Sequence, residues 1–357
     1  MNIFFTPGPA QLYPTFETHL QTAVTEQIGS LSHRSQQFRG IYQHTAEQLR
    51  ELLNIPADRA ILFTGSATEI WERIIQNCAQ HESAHFVNGS FSKRFCEFST
   101  EIGKQAQKIE APFGQGFDVS KHTVSDTAEL ICLTHNETSS GVSMPVADIH
   151  SFRKKHPGKI IAVDMVSSAP YPDLDWNLVD TAFFSVQKGF GLPAGLGVWI
   201  ANETCLQKSE SLKANGLYIG THHSLPTLWK NYANYETPAT PNVLGIYLLG
   251  KIAEDMNRRG IAAIRRETEE KAGMLYDFLE TSGKYGIAVR NPAHRSQTVI
   301  VANAPDPAGL MASLKRKGMV IGGGYGSHKD TQVRIAVFPA NSAAQVETLI
   351  GAMRQPD

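Results

Sequence analysis

The chain has 357 residues, 41% of them hydrophobic and 19% charged, and a formal net charge of −1. That length suits two domains, and the balance of residues is that of a soluble globular protein. No concentrated basic run marks a nucleic-acid or anionic-membrane partner, and no apolar stretch approaches the ~20 residues that span a bilayer.

At the N-terminus, Pro7 and Pro9 interrupt the apolar run and no basic region precedes it, so the segment does not read as a secretory leader. Strand-like runs follow at 60–64, 84–88, 106–111, 129–134, 160–166, 181–186 and 196–201, with a helix expected over 66–79. Several runs are continuously apolar, as in strands covered on both faces. Their alternation with helical stretches predicts an α/β domain with a largely parallel sheet.

From about residue 243 the texture changes. Long helices are expected over 243–256 and 261–279, a strand over 298–301, a helix over 307–316, a strand over 332–338 and a last helix from Ala343. This second region predicts a smaller α+β domain. Cys78, Cys96, Cys132 and Cys205 are scattered, as expected of reduced, buried thiols in a cytoplasmic protein. Triplets of glycosylation type at Asn88, Asn136 and Asn202 carry no meaning in that setting.

Two motifs mislead. His81, Glu82 and His85 match a zinc-protease pattern, but it lies between a helix and a strand, where the two histidines would not converge. No metal is expected. The glycine-rich run 322–326 leads into a strand, so it lacks the helix N-terminus that binds phosphate and reads as a turn joining strands.

Three features survive together. Gly65, Ser66, Ala67 and Thr68 lie between a strand and a helix, where small residues let first-turn amides aim at an anion. Asp164 closes an apolar strand, a position also suited to a helix cap or a turn. Lys188 follows another strand and precedes a Gly-rich stretch, where a partly dry pocket would lower its pKa and free its amine as a nucleophile. Taken alone, it reads as an exposed loop lysine. An anion turn, a strand-end acid and a strand-end lysine in this order are what pyridoxal 5'-phosphate demands for its phosphate, ring nitrogen and aldehyde.

The chain resembles the class V aminotransferases of fold type I almost end to end, and within them the branch that uses O-phosphoserine. The resemblance is carried by Phe5-Thr-Pro-Gly-Pro-Ala10, Ser32-His-Arg34, Gly65 to Thr68, Asn136-Glu-Thr138-Ser-Ser-Gly141, Asp164, Gln187-Lys188, Thr237-Pro238 and Val333-Arg334. It implies an N-terminal arm at 1–17 joining a small C-terminal α+β domain at 257–357, beside a large cofactor-binding domain at 18–256 with a mainly parallel central sheet.

By position, the resemblance implies that Lys188 carries the cofactor as an imine and shuttles the α-proton, while Asp164 pairs with the pyridinium nitrogen. Phe91 falls where relatives stack an aromatic on the ring, and a core phenylalanine would look the same. Thr138 and Gln187 would surround the phenolic oxygen, and Ala67 and Thr68 would offer amides and a hydroxyl to the phosphate. Thr237 would reach that phosphate from the second subunit of a homodimer with shared sites. Arg334 would grip the substrate α-carboxylate, and His33 and Arg34 match the region that holds the substrate phosphate.

Thr68 and Glu236 stand where the best-known members of that branch carry arginine and asparagine; His222, His223 and His328 are candidates to compensate. The implied reaction is transamination of O-phosphoserine with 2-oxoglutarate. An alternative is an alanine– or serine–glyoxylate or serine–pyruvate aminotransferase. A desulfurase or lyase would place histidine, not Gln187, before the lysine. Nothing resembles a DNA-binding appendage, as a cofactor-binding regulator would need.

Overall fold

The structure, a computed structural model, describes residues 2–355. The chain begins with β1 (Ile3–Phe5), α1 (Phe16–Thr25) and α2 (Gln36–Leu53). It then alternates β2 (Ala60–Thr64), α3 (Ala67–Cys78), β3 (Glu82–Val87), α4 (Ser90–Glu101), β4 (Gln105–Glu110) and β5 (Leu130–Thr134). A two-stranded ribbon, β6 (Asn136–Glu137) with β7 (Val142–Ser143), precedes α5 (Val146–Lys155) and β8 (Ile160–Asp164). Next come β9 (Thr181–Ser185), β10 (Gly197–Ala201), α6 (Glu203–Ala214) and α7 (Leu225–Tyr232).

Seven strands form one sheet in the order β2-β10-β9-β8-β5-β3-β4. It is a mixed sheet, mostly parallel: β10 runs antiparallel to both β2 and β9, and the remaining pairs are parallel. The apolar strands are buried throughout because alternate residues enter different layers. Ile61, Phe63, Ile131, Leu133, Ile161 and Val163 face one core. Ala60, Leu62, Leu130, Cys132, Ile160 and Ala162 face the other. Strand period two thus feeds two hydrophobic layers from one run.

Helices α8 (Val243–Arg259) and α9 (Ile261–Thr281) meet at Gly260 and lead into the second sheet. That part contains β11 (Gly286–Ile287), β12 (Val299–Asn303), α10 (Pro307–Arg316), β13 (Met319–Gly323), β14 (Gln332–Ala336) and α11 (Ala343–Arg354). The sheet order is β1-β13-β14-β12-β11, so the N-terminal strand lies at its edge, parallel to β13. This pairing steers the next residues across to the first sheet, where the Ala10 amide donates to the Gln187 carbonyl at 3.0 Å and the Tyr13 amide to that of Gly191 at 2.8 Å. Gly191, at φ +59°, leaves no room there for a side chain: a Cβ would lie 2.7 Å from the Tyr13 nitrogen.

Several expected ends move. The strand expected over 160–166 stops at Asp164 because its own carboxylate accepts the Val166 amide at 2.9 Å and turns the chain out of the sheet. The strand expected at 84–88 begins earlier, at Glu82, so His85 lies inside it, buried against Ser83 and Ser99 at 2.8 and 2.9 Å. Gly322 and Gly323 of the glycine-rich run belong to β13, and the turn proper comes after them. Among the described residues, no helix is long and apolar enough to cross a membrane.

Candidate active site

In the parallel part of the first sheet, Thr134 ends β5, Asp164 ends β8 and Ser185 ends β9. Register places Thr134 beside Asp164 and Asp164 beside Phe183. Carboxyl ends of parallel strands are where α/β proteins hold ligands. Here they open, with the N-terminus of α3, onto a cavity of about 150 Å³ lined by Thr68, Phe91, Thr138, Asp164, Gln187 and Lys188, together with Ala67, Trp71 and Ser185.

Asp164 is buried at the cavity floor. Burial pushes its carboxyl up to about 7, against two donated hydrogen bonds that favour the anion. The donors are the Val166 amide and the Trp71 indole N–H, each at 2.9 Å. Lys188 shifts the other way: burial and then the nearby charge of Arg334 lower its amine to about 8, while Asp164 opposes the shift. The Lys188 ammonium donates to the Pro7 carbonyl of the N-terminal arm. An acid and an amine both pushed toward neutrality in one cavity are suited to holding and moving protons.

The turn into α3 is built by its own side chains. The Ser66 hydroxyl caps the helix by accepting the Glu69 amide at 3.1 Å, and the Glu69 carboxylate accepts the Gly65 amide at 2.9 Å. The Ala67 amide donates to the Ser185 hydroxyl at 3.0 Å. Of the two amides expected to face an anion, that of Ala67 is therefore engaged within the chain, and that of Thr68 has no partner among the described residues.

Glu137 supports the opposite wall. Its buried carboxylate accepts the Ser92 amide and hydroxyl, both at 2.8 Å, and the Ser139 amide and hydroxyl at 3.0 and 2.7 Å. With the Phe91 amide at 3.4 Å, it caps α4 and thereby fixes Phe91 on one side and Thr138 on the other. The Gln187 side-chain carbonyl, also at the cavity, is buried without a partner among the described residues.

Arg334, on β14 in the middle of the second sheet, does not line the cavity but is near enough for its charge to lower the Lys188 amine; its Nε donates to the Gly323 carbonyl at 2.7 Å. Six further residues, Thr237, Arg34, His33, His222, His223 and His328, are not brought into this cavity. Thr237 lies in a separate pocket with Gly65, Glu69, His222 and His223, its hydroxyl buried and unpartnered among the described residues. Arg34, half-exposed, pairs with Glu236 at 2.9 Å, and its neighbour His33 is likewise absent from the cavity lining. His223 pairs with Glu69, and His328 stacks on Phe113 with ring centroids 4.1 Å apart.

Sequence reasoning missed Trp71, Glu137, Ser185 and Pro7. Trp71 lies one helical step from Thr68 and Ser185 three residues before Lys188, so local spacing could have flagged both. Pro7 reaches Lys188 only through pairing between sheets, which leaves no local signal.

The chain is similar to known proteins over nearly its whole length. A family model described as class-V aminotransferase matches residues 4–349. Phosphoserine aminotransferase of Nocardioides sp. is 27% identical over 353 residues, which cover 97% of this chain and 92% of the relative. The crystal structure of a phosphoserine aminotransferase from Cytophaga hutchinsonii superposes with a TM-score of 0.97 at 50% identity, covering 98% of each chain. An alanine–glyoxylate aminotransferase from Nostoc sp. shares the fold, with a TM-score of 0.85 at 20% identity over 99% of this chain and 94% of that one.

Proposed function

The chain belongs to the class-V aminotransferase family, and from that premise we propose that it transfers the amino group of O-phosphoserine to 2-oxoglutarate, giving 3-phosphohydroxypyruvate and glutamate. It is a pyridoxal-phosphate enzyme acting on amino-acid and 2-oxo-acid substrates. The residues present fit that cofactor. The free Thr68 amide would meet an anion, the unpartnered buried carbonyl of Gln187 would accept from a ring hydroxyl, and the acid–amine pair lies within the same cavity, which together suit a polar, phosphate-bearing ring compound.

When bound, the cofactor supplies an aldehyde that takes up the amino group and a ring that accepts the electron pair left by the α-proton. In our reading, Lys188 Nζ would hold the cofactor at that aldehyde and carry the α-proton. An amine lowered to about 8 is partly unprotonated near neutral pH, as a base must be. Asp164, oriented by Trp71 and Val166, would present its carboxylate to the ring nitrogen. Phe91 would stack on the ring, Thr138 and Gln187 would bond its phenolic oxygen, and Thr68, with Ala67 if Ser185 released its amide, would hold the phosphate. Arg334 grips the substrate α-carboxylate with its planar fork.

The observation that carries this reading is the acid–amine pair of Asp164 and Lys188 enclosed with Gln187 and Phe91. The choice of O-phosphoserine is supported by the relatives' names and by the identity of 50% to the Cytophaga hutchinsonii enzyme. A homodimer belongs to the proposal: Thr237 of the partner subunit completes the phosphate site. It is supported by the position of Thr237 and Arg34 outside the cavity of their own chain. His33 and Arg34 would then serve the substrate phosphate. A cytoplasmic location, read from the scattered cysteines, and the division into 1–17, 18–256 and 257–357 are part of the same reading. The test is steady-state turnover of paired substrates. O-phosphoserine with 2-oxoglutarate should outpace alanine with glyoxylate, and the reverse order would replace this reading with the glyoxylate one.

A further inference from the structure

The glycine-rich run 322–326 ends β13 and turns toward β14, and its packing gives it a task. A Cβ on Gly322 would lie 2.6 Å from Pro7, and Gly326 turns at φ +57°. The segment thus presses close to the arm and doubles back, presenting one large side chain, Tyr325, which is 37% exposed. The Tyr325 ring lies 5.1 Å from that of Phe91 across the cleft, tilted by 47°. The Arg334 guanidinium carbon stands 5.2 Å from the same ring's centroid. A second tie to the first sheet's side, His328 on Phe113, follows three residues later.

Arg334 is consequently fixed at two points. Gly323 accepts its Nε, and Tyr325 covers the guanidinium face, while neither terminal nitrogen has a hydrogen-bond partner among the described residues. We infer that Tyr325 is a positioning residue. It holds the Arg334 fork at a set angle to the Lys188 cavity and ties that angle to Phe91 in the cavity wall. The inference rests on reading Arg334 as the carboxylate grip. A substrate carboxylate then meets a guanidinium that has already lost its rotational freedom.

The test uses the cofactor-loaded protein with Tyr325→Leu, Tyr325→Phe, Arg334→Ala and the Arg334→Ala/Tyr325→Leu double variant. KM and kcat are measured for O-phosphoserine and alanine, with succinate as a non-reacting carboxylate whose Kd is read by competition. A cation–π contact of this kind predicts that Tyr325→Leu raises both KM values and the succinate Kd about threefold to thirtyfold. kcat should stay within about twofold. Tyr325→Phe, which keeps the ring, should match the wild type, and Tyr325→Leu should add nothing once Arg334 is gone. Unchanged KM in Tyr325→Leu, with KM raised in Arg334→Ala, would overturn this inference alone. So would equal damage by Tyr325→Phe, or additive losses in the double variant. Unchanged KM in Arg334→Ala would overturn the carboxylate reading and this inference with it.

Discussion

Asp164→Asn should stabilise the cofactor-free protein at neutral pH relative to the wild type while abolishing its chemistry. The folded carboxyl titrates at about 7 against 3.8 for the ordinary group, a rise caused first by burial. Between these values the folded chain keeps a proton that the unfolded chain has released. Wild-type stability therefore falls as pH rises through this window and levels off above about 7. At 1.36 kcal/mol per unit, a rise of roughly three units costs about 4 kcal/mol by pH 8. Asparagine cannot ionise, so its curve lacks this slope. It also cannot accept from both Val166 and Trp71, bonds whose preference for the anion is already contained in the wild-type value of about 7. Urea unfolding of both cofactor-free proteins from pH 4 to pH 8 reads the difference as a drift of about 4 kcal/mol in favour of the variant. Parallel curves would refute the reasoning and leave Asp164 a turn residue with an ordinary pKa. Transamination by the variant should fall by orders of magnitude, because an amide offers no charge to the ring nitrogen.

Lys188→Ala should retain cofactor weakly through the contacts at Thr68 yet show no turnover, as measured by equilibrium dialysis and single-turnover assay; appreciable turnover would dismiss Lys188 as the proton carrier. Arg34→Ala should lower kcat/KM for O-phosphoserine about tenfold to a hundredfold, the worth of one charge-assisted contact, while sparing alanine. An equal loss for both donors would reduce Arg34 to its pairing with Glu236. Mixed dimers of Lys188→Ala and Thr237→Val chains should regain one working site in two. Mixed dimers that form but stay inactive would remove Thr237 from the partner's site.

Much of the first sheet was legible in the sequence because runs such as 60–64 and 181–185 are mostly apolar, and every position in them is buried. No helix was expected at 36–53, where α2 lies. Its buried Phe38, Tyr42, Ala46, Leu49 and Leu53 keep helical spacing, with polar residues between them that dilute the signal. The site was legible where chemistry follows a strand end, as at Asp164 and Lys188. It was not legible where the partner comes from far along the chain: Trp71 is 93 residues from Asp164, and Pro7 is 181 from Lys188. The positions of Thr237 and Arg34 away from their own cavity depend on tertiary packing in the same way. The glycine-rich segment reads correctly as a turn between strands. Its contact with Arg334 emerges only when β13 and β14 pair.

Borohydride reduction of the loaded enzyme, followed by peptide mapping, tests the central claim most directly. The account predicts one modified peptide, carrying the cofactor's mass on Lys188. Prior incubation with O-phosphoserine in the absence of a 2-oxo acid should leave Lys188 unmodified, and adding 2-oxoglutarate should restore the label. Modification of a different lysine, or labelling of Lys188 that O-phosphoserine leaves untouched while alanine removes it, would contradict the account.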